Sequence, residues 1–328
     1  MDPNSDICLV DVSYNVFYRF FALRQWYKRA HPEIDIPHDH DWLADEVFMT
    51  KYRKLFFENI FKVLKKRKIK GVRNFIFAVD CHHKSIWRYK YLSNYKGTRA
   101  ESHQKNNFYS FGIFEIVYRD ILPSFFKQVN KKGEPLYRGM IISKETAEAD
   151  DIIACSIPHL RHKYPIRNLY IMASDTDYVQ LCDEHVFLFT LQNKDIGDKY
   201  ITNYGNKDRY LIYKLLIGDT SDNIEACHIK TQWLFQNNII TRRGKSDYTK
   251  CTPTIAKRIL DQTEVYQQMA TIIKHNRDQH TSQISYQDMT KDTYTQNGIL
   301  TRNQLLIDMK MIPHNINTGV IGNIESYS

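Results

Sequence analysis

The sequence predicts an α/β fold, in which a central, mostly parallel sheet is flanked by helices and followed by a smaller C-terminal helical domain. Over the first 200 residues, short apolar runs alternate with stretches of helical periodicity, which is typical of parallel strands buried on both faces. Beyond them the strand-like runs cease, and helical patterns follow at 210–216, 255–260 and 303–311. We therefore divide the chain into a domain of residues 1–202 and a domain of residues 203–328.

Five apolar runs are the predicted strands of the sheet. Each is short and uncharged, as expected of a strand buried on both faces. The runs are Ile7–Val10, Phe75–Val79, Met140–Ile142, Leu169–Met172 and Val186–Phe189. A helical pattern from Leu43 to Leu64 separates the first two, and further helices are predicted near 108–129 and from Ala149 onward. Residues 237–251 are polar and basic without a clear period, so we predict a loop there.

The chain is basic, because 46 Lys and Arg residues outnumber 37 Asp and Glu residues. Such an excess favours polyanionic partners, either nucleic acid or an anionic membrane surface. No apolar run reaches the roughly 18 residues of a membrane span, and Met1–Asp6 lacks the features of a signal peptide. The six cysteines form no CxxC pair and are typical of reduced intracellular thiols. We therefore expect a cytoplasmic protein without a membrane partner, in the host cytoplasm if the chain is viral.

Nine acidic residues follow predicted strands or lie at the starts of predicted helices and turns. They are Asp11, Asp80, Glu148, Asp150, Asp151, Asp175, Asp177, Asp219 and Asp222. Taken singly, an Asp at a strand end is usually a turn former, and acids in a first helical turn commonly serve the helix dipole. The carboxyl ends of parallel strands, however, meet at one edge of a sheet, where ligands collect. We therefore expect these side chains to converge.

Converging carboxylates repel one another and raise one another's pKa unless cations neutralise them. Hard oxygen ligands select Mg²⁺ or Mn²⁺. Two such ions can polarise a scissile phosphate, activate a water and stabilise the departing oxygen. The acidic residues therefore predict a two-metal hydrolase that acts on phosphodiester bonds.

In order and spacing, these motifs resemble those of the flap endonuclease, or 5′ nuclease, family, and within it the ribonuclease H branch of the T-even bacteriophages. The likeness spans about residues 6–325 and includes a basic stretch, Trp87–Arg88 and Tyr95–Arg99, similar to the base of the family's helical arch. The acidic motifs are Ile7–Asp11, Val79–Asp80, Glu148–Asp151, Ser174–Tyr178 and Gly218–Asn223. The resemblance implies a PIN-like nuclease domain with its arch at about residues 84–107.

The resemblance also implies roles for individual residues. The ligands of a first ion would be Asp11, Asp80, Asp151 and Asp175, with Glu148 and Asp150 in its shell, partly through water. The ligands of a second ion would be Asp177, Asp219 and Asp222. Both ions would be Mg²⁺, with Mn²⁺ as a substitute. The catalytic residues would be Lys96, which would reach the scissile phosphate, and Arg99 close by.

One segment departs from the family pattern. The family usually has a Gly-rich hairpin after the fifth acidic motif, within a helix-hairpin-helix that grips duplex backbone around a potassium ion. Here Glu225–Lys230 and a basic insertion at about 228–252 follow instead. A second helix could still start with Thr252 as its N-cap and Pro253 at its first position. We therefore expect duplex binding by this domain, and whether it holds a potassium ion stays open.

Two basic regions are predicted to bind nucleic acid. In the arch, cations and aromatic rings alternate, which suits the phosphates and stacked bases of a single strand, although a solvated arm would have the same composition. The predicted contacts in the arch are Lys84, Arg88, Lys90 and Tyr95. Contacts with duplex phosphates are predicted in the insertion and the helix after it, at Arg242, Arg243, Lys245 and Lys257.

We expect a monomeric 5′-3′ exonuclease and flap endonuclease with ribonuclease H activity. By resemblance, its substrates are duplex DNA, RNA–DNA hybrids and 5′ flaps, and its task is removing RNA primers during viral DNA replication, with a single-strand DNA-binding protein as a candidate partner. The alternatives are a PIN-type ribonuclease, a non-catalytic nucleic-acid-binding protein and a sugar-phosphate phosphatase. The helical second domain argues against a PIN-type ribonuclease, and the intact carboxylates argue against a non-catalytic protein. The basic aromatic arch argues against a phosphatase.

Overall fold

A computed structural model describes residues 1–327 except 34, 38–39, 100, 102–107, 109, 243, 245 and 282–293. The chain divides into two compact units. Unit 1 comprises Met1–Ile86, Ala100–Lys199 and Asn315–Ser328, and unit 2 comprises Trp87–Arg99 and Tyr200–His314. The functional boundary predicted at residues 202 and 203, and the assignment of residues 84–107 to the nuclease domain, stay predictions.

The strands, numbered in chain order, are β1 (Ile7–Asp11), β2 (Asn74–Val79), β3 (Arg138–Ser143), β4 (Leu169–Met172), β5 (Val186–Phe189), β6 (His228–Lys230) and β7 (Tyr248–Lys250). The first helices are α1 (Val12–Ala30), α2 (Glu46–Leu55), α3 (Glu58–Lys66), α4 (Gly112–Ile116), α5 (Leu122–Phe126), α6 (Ala149–Lys163) and α7 (Ile196–Tyr204). The remaining helices are α8 (Lys207–Ile217), α9 (Thr231–Gln236), α10 (Pro253–Asp261), α11 (Thr263–Thr281), α12 (Ile299–Ile307) and α13 (His314–Ser326).

Unit 1 is built on a parallel sheet with the strand order β3-β2-β1-β4-β5 in the described residues. All residues of β2 and β4 are buried, and in β1 only the terminal Asp11 is partly exposed. These strands are buried because helices cover both faces of the sheet, so continuous apolar runs are required instead of alternating ones. The predicted α/β architecture with a mostly parallel sheet is confirmed.

An aromatic core fills the space between one face of the sheet and the helices over it. Phe77 of β2 packs 5.1 Å, centroid to centroid, from Phe125 of α5, and Phe20 of α1 packs 5.5 Å from Phe48 of α2. Burying one such ring contributes about 1.5–3 kcal/mol. On the sheet, α6 packs against β1, β2 and β3. This packing fixes the ends of β1 and β2 and the start of α6, where the predicted acids lie.

Unit 2 is mainly helical, and α8 packs against α10 and α12. The fully buried amide of Asn303 in α12 donates to the carbonyl oxygens of Leu215 and Glu225, both at 2.9 Å. Since Leu215 precedes the loop 218–223 and Glu225 follows it, α12 fixes both ends of that loop. The prediction that the C-terminal part of the chain is mainly helical is confirmed.

The basic insertion contains more regular structure than its sequence predicts. β6 and β7 form an antiparallel pair, with His228 opposite Lys250 and Lys230 opposite Tyr248. The expectation of a loop throughout 237–251 is therefore wrong for Tyr248–Lys250. Three-residue strands are too short to show a period, and their pairing depends on a partner about 20 residues away, which local periodicity does not report. Among the described residues, no helix is long and apolar enough to span a membrane.

Candidate active site

Asp11 ends β1 and caps α1, as its position after an apolar run predicts. One carboxylate oxygen accepts the backbone N–H of Tyr14 at 3.0 Å, and the other accepts the hydroxyl of Tyr178 at 3.1 Å. An N-cap carboxylate stabilises the first turn by satisfying a backbone donor. The side chain is thereby held at the carboxyl edge of the sheet in a fixed orientation.

Asp80 follows β2 and joins three elements. Its Oδ1 accepts the backbone N–H of Ala149, the first residue of α6, at 2.6 Å, and its Oδ2 accepts a short hydrogen bond from the hydroxyl of Ser13 in α1. The carboxylate therefore fastens the end of β2 to the starts of α1 and α6. Ser13 has no predicted role in the sequence, although its position two residues after an Asp at a strand end is a signal for one.

Three acids meet at the start of α6. Glu148, Asp150 and Asp151 each offer a carboxylate oxygen, and these oxygens lie within 4.8 Å of one another. Asp151 is fully buried and Glu148 is 4% exposed, while Asp150 is partly exposed. Asp151 accepts the backbone N–H of Glu148 at 2.9 Å, and Asp150 accepts that of Asp151 at 2.7 Å. Buried carboxylates at this spacing are costly without a cation, and an all-oxygen donor set fits a hard divalent ion.

Asp175 and Asp177 lie just past the end of β4. Asp175 is exposed, and its carboxylate accepts the backbone N–H of Asp177 at 2.9 Å, which starts a 3₁₀ turn over Thr176–Leu181. The buried Tyr178 belongs to the same turn and donates to Asp11. The turn thus links the acid after β4 to the acid after β1. Tyr178 stands in the Ser174–Tyr178 motif but was given no role from the sequence.

The charges at this edge act on one another. The pKa of Asp11 is raised to about 7, first by burial and then by the charges of Asp80 and Asp175, although hydrogen bonds from Tyr14 and Tyr178 oppose the shift. Burial raises the pKa of the Tyr178 hydroxyl, and the charges of Asp11, Asp80, Asp150 and Asp175 raise it further. The protonated hydroxyl therefore stays a donor to Asp11. The charges of four predicted acids of unit 1 thus meet at Tyr178, and one of them, Asp150, also groups with Glu148 and Asp151, while Asp177 is hydrogen-bonded to Asp175.

Asp219 belongs to unit 2 and lies in the loop after α8. Gly218 begins this loop at φ +69°, where an added Cβ would stand 2.4 Å from the carbonyl oxygen of Ile224, so only glycine fits. Asp219 pairs closely with the ammonium of Lys214 and accepts the backbone N–H of Ser221 at 2.8 Å. Burial opposes ionisation, but the Lys214 charge and the hydrogen bonds from Lys214 and Ser221 outweigh it and lower the pKa of Asp219.

Asp222, in the same loop, contacts the predicted catalytic residues. Its carboxylate accepts from Arg99 at 3.2 Å and lies 3.8 Å from the ammonium of Lys96. It also accepts the hydroxyl of Tyr95 at 3.0 Å. Asp219 and Asp222 thus each have a cationic partner within unit 2. That they share an ion with the acids of unit 1 stays a prediction.

The predicted nucleic-acid contacts divide by exposure. Lys84, Lys90, Arg242 and Lys257 are exposed, as a phosphate contact requires. Arg88 and Tyr95 are only 3% and 1% exposed, and Arg88 donates to the carbonyl oxygen of Leu306 at 2.9 Å. Burial weighs against direct contact of these two side chains with a ligand. Arg243 and Lys245 lie outside the described residues.

Three comparisons with known proteins each find similar ones. Residues 6–209 match the family model of the 5′-3′ exonuclease N-terminal resolvase-like domain. The chain is 21% identical over 286 residues to a protein named ribonuclease H from Enterobacteria phage T4, which covers 86% of this chain and 80% of that one.

Among solved structures, the fold is similar to the bacteriophage T5 5′-exonuclease with bound zinc, at a TM-score of 0.51 and 17% identity over 98% of both chains. It is also similar to the bacteriophage T5 flap endonuclease in a complex with DNA and metal ions, at a TM-score of 0.52 and 13% identity over 98% of both chains. These structures support the fold. Because the family model matches more than half of its length and the acidic cluster of that family is present, the chain belongs to the 5′-3′ exonuclease family and is a metal-dependent nuclease.

Proposed function

We propose that this nuclease cleaves one strand near its 5′ end, as a 5′-3′ exonuclease and flap endonuclease, with two Mg²⁺ ions that Mn²⁺ can replace. The proposal is carried by the group of Glu148, Asp150 and Asp151, of which Glu148 and Asp151 are buried, together with Asp11, whose pKa is raised to about 7. Carboxylates that lie this close to one another repel, and divalent cations relieve the repulsion. The acids are therefore assigned to metal binding and not to acid–base chemistry alone.

The residues of unit 1 would hold the first ion. The carboxylates of Asp11, Asp80, Asp151 and Asp175 would be its ligands, with Glu148 and Asp150 beside them. A bound divalent ion would polarise the scissile phosphate and lower the pKa of a water. The chain's own contribution is orientation: Tyr178 and the N–H of Tyr14 fix Asp11, and Ser13 and the N–H of Ala149 fix Asp80. Asp177, Asp219 and Asp222 would serve the second ion.

Lys96 and Arg99 supply positive charge for the phosphate. Negative charge that develops on the phosphate in the transition state is stabilised by a cation that is already oriented, because no reorganisation is then needed during the reaction. Both side chains lie on the segment Trp87–Arg99, on which Lys90 is exposed and Arg88 is buried. We assign Lys96 and Arg99 to the reaction and Lys84 and Lys90 to binding of the single strand.

Duplex binding is assigned to unit 2. Arg242 and Lys257 are exposed, and α10 begins at Pro253 with Thr252 as its N-cap. Backbone amides at a helix start and nearby cations together suit phosphate oxygens. Arg243 and Lys245, which lie outside the described residues, are proposed from the sequence to contact duplex phosphates as well. The substrates proposed are DNA duplexes, RNA–DNA hybrids and 5′ flaps. Removal of RNA primers in viral DNA replication, a single-strand DNA-binding partner, a monomeric state and a cytoplasmic location complete the proposal.

The test is digestion of two substrates, a 5′-labelled DNA flap and a nicked RNA–DNA hybrid, with Mg²⁺ and with EDTA. We expect Mg²⁺-dependent short 5′ products with 5′-phosphate and 3′-hydroxyl ends. A 3′-labelled copy of each substrate distinguishes the direction of cleavage, and a circular duplex without ends is the control for nonspecific endonuclease contamination. Products that accumulate from the 3′ end, or cleavage that persists in EDTA, would contradict the proposal.

A further inference from the structure

The segment Trp87–Arg99 is anchored within unit 2 at two places. Near its start, the guanidinium of the buried Arg88 donates to the carbonyl oxygen of Leu306, at the end of α12. Tyr91 packs against the apolar cluster of Leu305 and Met311. Near its end, the segment meets the loop 218–223. Two side chains that the sequence suggested for nucleic-acid binding, Arg88 and Tyr95, are therefore part of the protein interior.

The second anchor is a set of four side chains, which we call the Asp222 clasp: Tyr95, Lys96, Arg99 and Asp222. Asp222 is 8% exposed and Tyr95 is 1% exposed. One carboxylate oxygen accepts the Tyr95 hydroxyl at 3.0 Å and lies 3.8 Å from the Lys96 ammonium, while the other accepts from Arg99 at 3.2 Å. A buried carboxylate with a hydroxyl donor is more firmly oriented than an exposed ion pair, which alone contributes little.

The backbone supports the same connection. The N–H of Lys96 donates to the carbonyl oxygen of Asp222 at 3.0 Å, and the amide of Asn223 donates to the carbonyl oxygen of Asn94 at 3.0 Å. Lys96 and Asn223 both have a positive φ, +55° and +61°, which costs free energy for residues with a side chain. Such conformations persist where surrounding contacts determine them. The position of Lys96 is thus set by its pairing with the loop 218–223.

We propose that Tyr95 is a positioning residue for the cleavage reaction, acting through Asp222 to hold Lys96 and Arg99 in one orientation. This role differs from base stacking, which the burial of the ring opposes, and from metal ligation, which the phenol does not perform. Only the expected effect of Tyr95 on the cleavage rate rests on the proposed function. The arrangement of the clasp itself can be tested without any substrate.

The variant Tyr95→Phe removes one hydroxyl and keeps the buried ring. The direct readout is the rate at which an amine-reactive reagent modifies Lys96, followed by mass spectrometry of the full chain in EDTA. The Lys96 side chain is 10% exposed in the clasp. We expect its modification rate to rise several-fold in Tyr95→Phe, while that of the exposed Lys90 on the same segment stays unchanged. Tyr89→Phe, which removes a hydroxyl from a neighbouring ring, is the matched control.

The second readout is the single-turnover cleavage of a 5′ flap with enzyme in excess. Loss of a hydrogen bond to a charged group corresponds to about a tenfold effect, so we expect the rate at saturation to fall about tenfold. Flap affinity should stay within about twofold, and a higher Mg²⁺ concentration should not restore the rate. Thermal melting gives the stability of the variant, and both readouts are taken well below its melting temperature, where the phenylalanine ring keeps the buried packing of the tyrosine.

Four results decide the proposal. Faster Lys96 modification together with a slower, Mg²⁺-insensitive rate supports it. An unchanged modification rate overturns it, whatever the activity is. Rescue of the rate by Mg²⁺ also overturns it, because it would place the defect at a metal site. A preparation in which even the parent chain does not cleave refutes the proposed function, while the modification result still decides whether the clasp exists.

Discussion

The acidic edge of unit 1 and the loop 218–223 of unit 2 contain the same residue type and are in opposite electrostatic states. At the edge, Asp11 is surrounded by other carboxylates and its pKa is raised to about 7. In the loop, Asp219 pairs with Lys214 and its pKa is lowered. The pKa of the same residue type is therefore shifted in opposite directions by its surroundings. Burial and other carboxylates raise the pKa of Asp11 at the edge, and the cation of Lys214 lowers the pKa of Asp219 in the loop against the effect of burial.

The largest expected effect is at the acidic edge. Asp151→Asn should reduce cleavage by at least about a thousandfold. The proposed reason is that Asp151 holds an ion that stabilises the transition state by several kcal/mol. Duplex binding should be intact or tighter, since a negative charge near the phosphate is lost. The measurement is single-turnover cleavage together with equilibrium binding of the same flap. A cleavage rate within threefold of the parent would remove Asp151 from the metal site.

The next effect concerns Lys96. Lys96→Ala should lower single-turnover cleavage by about a hundredfold, as loss of one oriented electrostatic donor commonly does. Affinity for the flap should change little, because other cations share the binding. Lys90→Ala, on the same segment, is the matched control and should weaken binding while leaving the rate at saturation intact. If Lys96→Ala cleaves normally at saturation, Lys96 is one more phosphate contact.

In EDTA, replacing Asp11 by Asn and replacing Asp219 by Asn should change the free energy of unfolding in opposite directions. The pKa of Asp11 lies above its ordinary value of 3.8, so between pH 4 and 7 the folded state holds a proton that the unfolded state has released. The free energy of unfolding therefore falls as pH rises through that range. The pKa of Asp219 lies below 3.8, so its contribution is present above that value and is lost as pH falls through its folded pKa.

At pH 7.5 without metal, Asp11→Asn should therefore raise the free energy of unfolding by about 1–3 kcal/mol, since Asn caps a helix as well as Asp does. Asp219→Asn should lower it by about 3 kcal/mol, because Lys214 would lose its partner. Urea unfolding at pH 5 and 7.5 in EDTA gives both values. A loss of stability in both variants would mean that the repulsion at the edge is already relieved by the protein.

The smallest effect concerns the basic insertion, where no charge pairing is proposed. Neutralising Arg242, Arg243 and Lys245 together should flatten the slope of log affinity against log salt by about 2 to 3 for a duplex. Cleavage at saturation should be unaffected. An unchanged slope, measured by anisotropy between 50 and 200 mM salt, would show that the insertion does not contact phosphates.

The sheet and its acids were predictable because their cause is local. A continuous apolar run followed by Asp is a buried strand and its carboxyl end, and Asp11, Asp80 and Asp175 were placed in this way. The burial of Tyr95 and its hydrogen bond to Asp222 were not predictable from the sequence. Its ring and hydroxyl are buried by a residue 127 positions away in sequence, and a basic, aromatic composition is the same for a binding surface and for an interior anchor.

Each of the two units is built from segments that lie far apart in the sequence, and this has a consequence for folding during synthesis on the ribosome. Residues 315–328 belong to unit 1, with Gly319 against the side chain of Lys144, and residues 87–99 belong to unit 2. Unit 1 therefore cannot complete its folding until its C-terminal segment has been translated. Unit 2 needs a segment that is translated about 100 residues before the rest of it. Domains generally fold as they are made, N-terminal first. Here unit 1 would complete its packing only after residues 315–328 have left the exit tunnel, about 115 residues after its other segments.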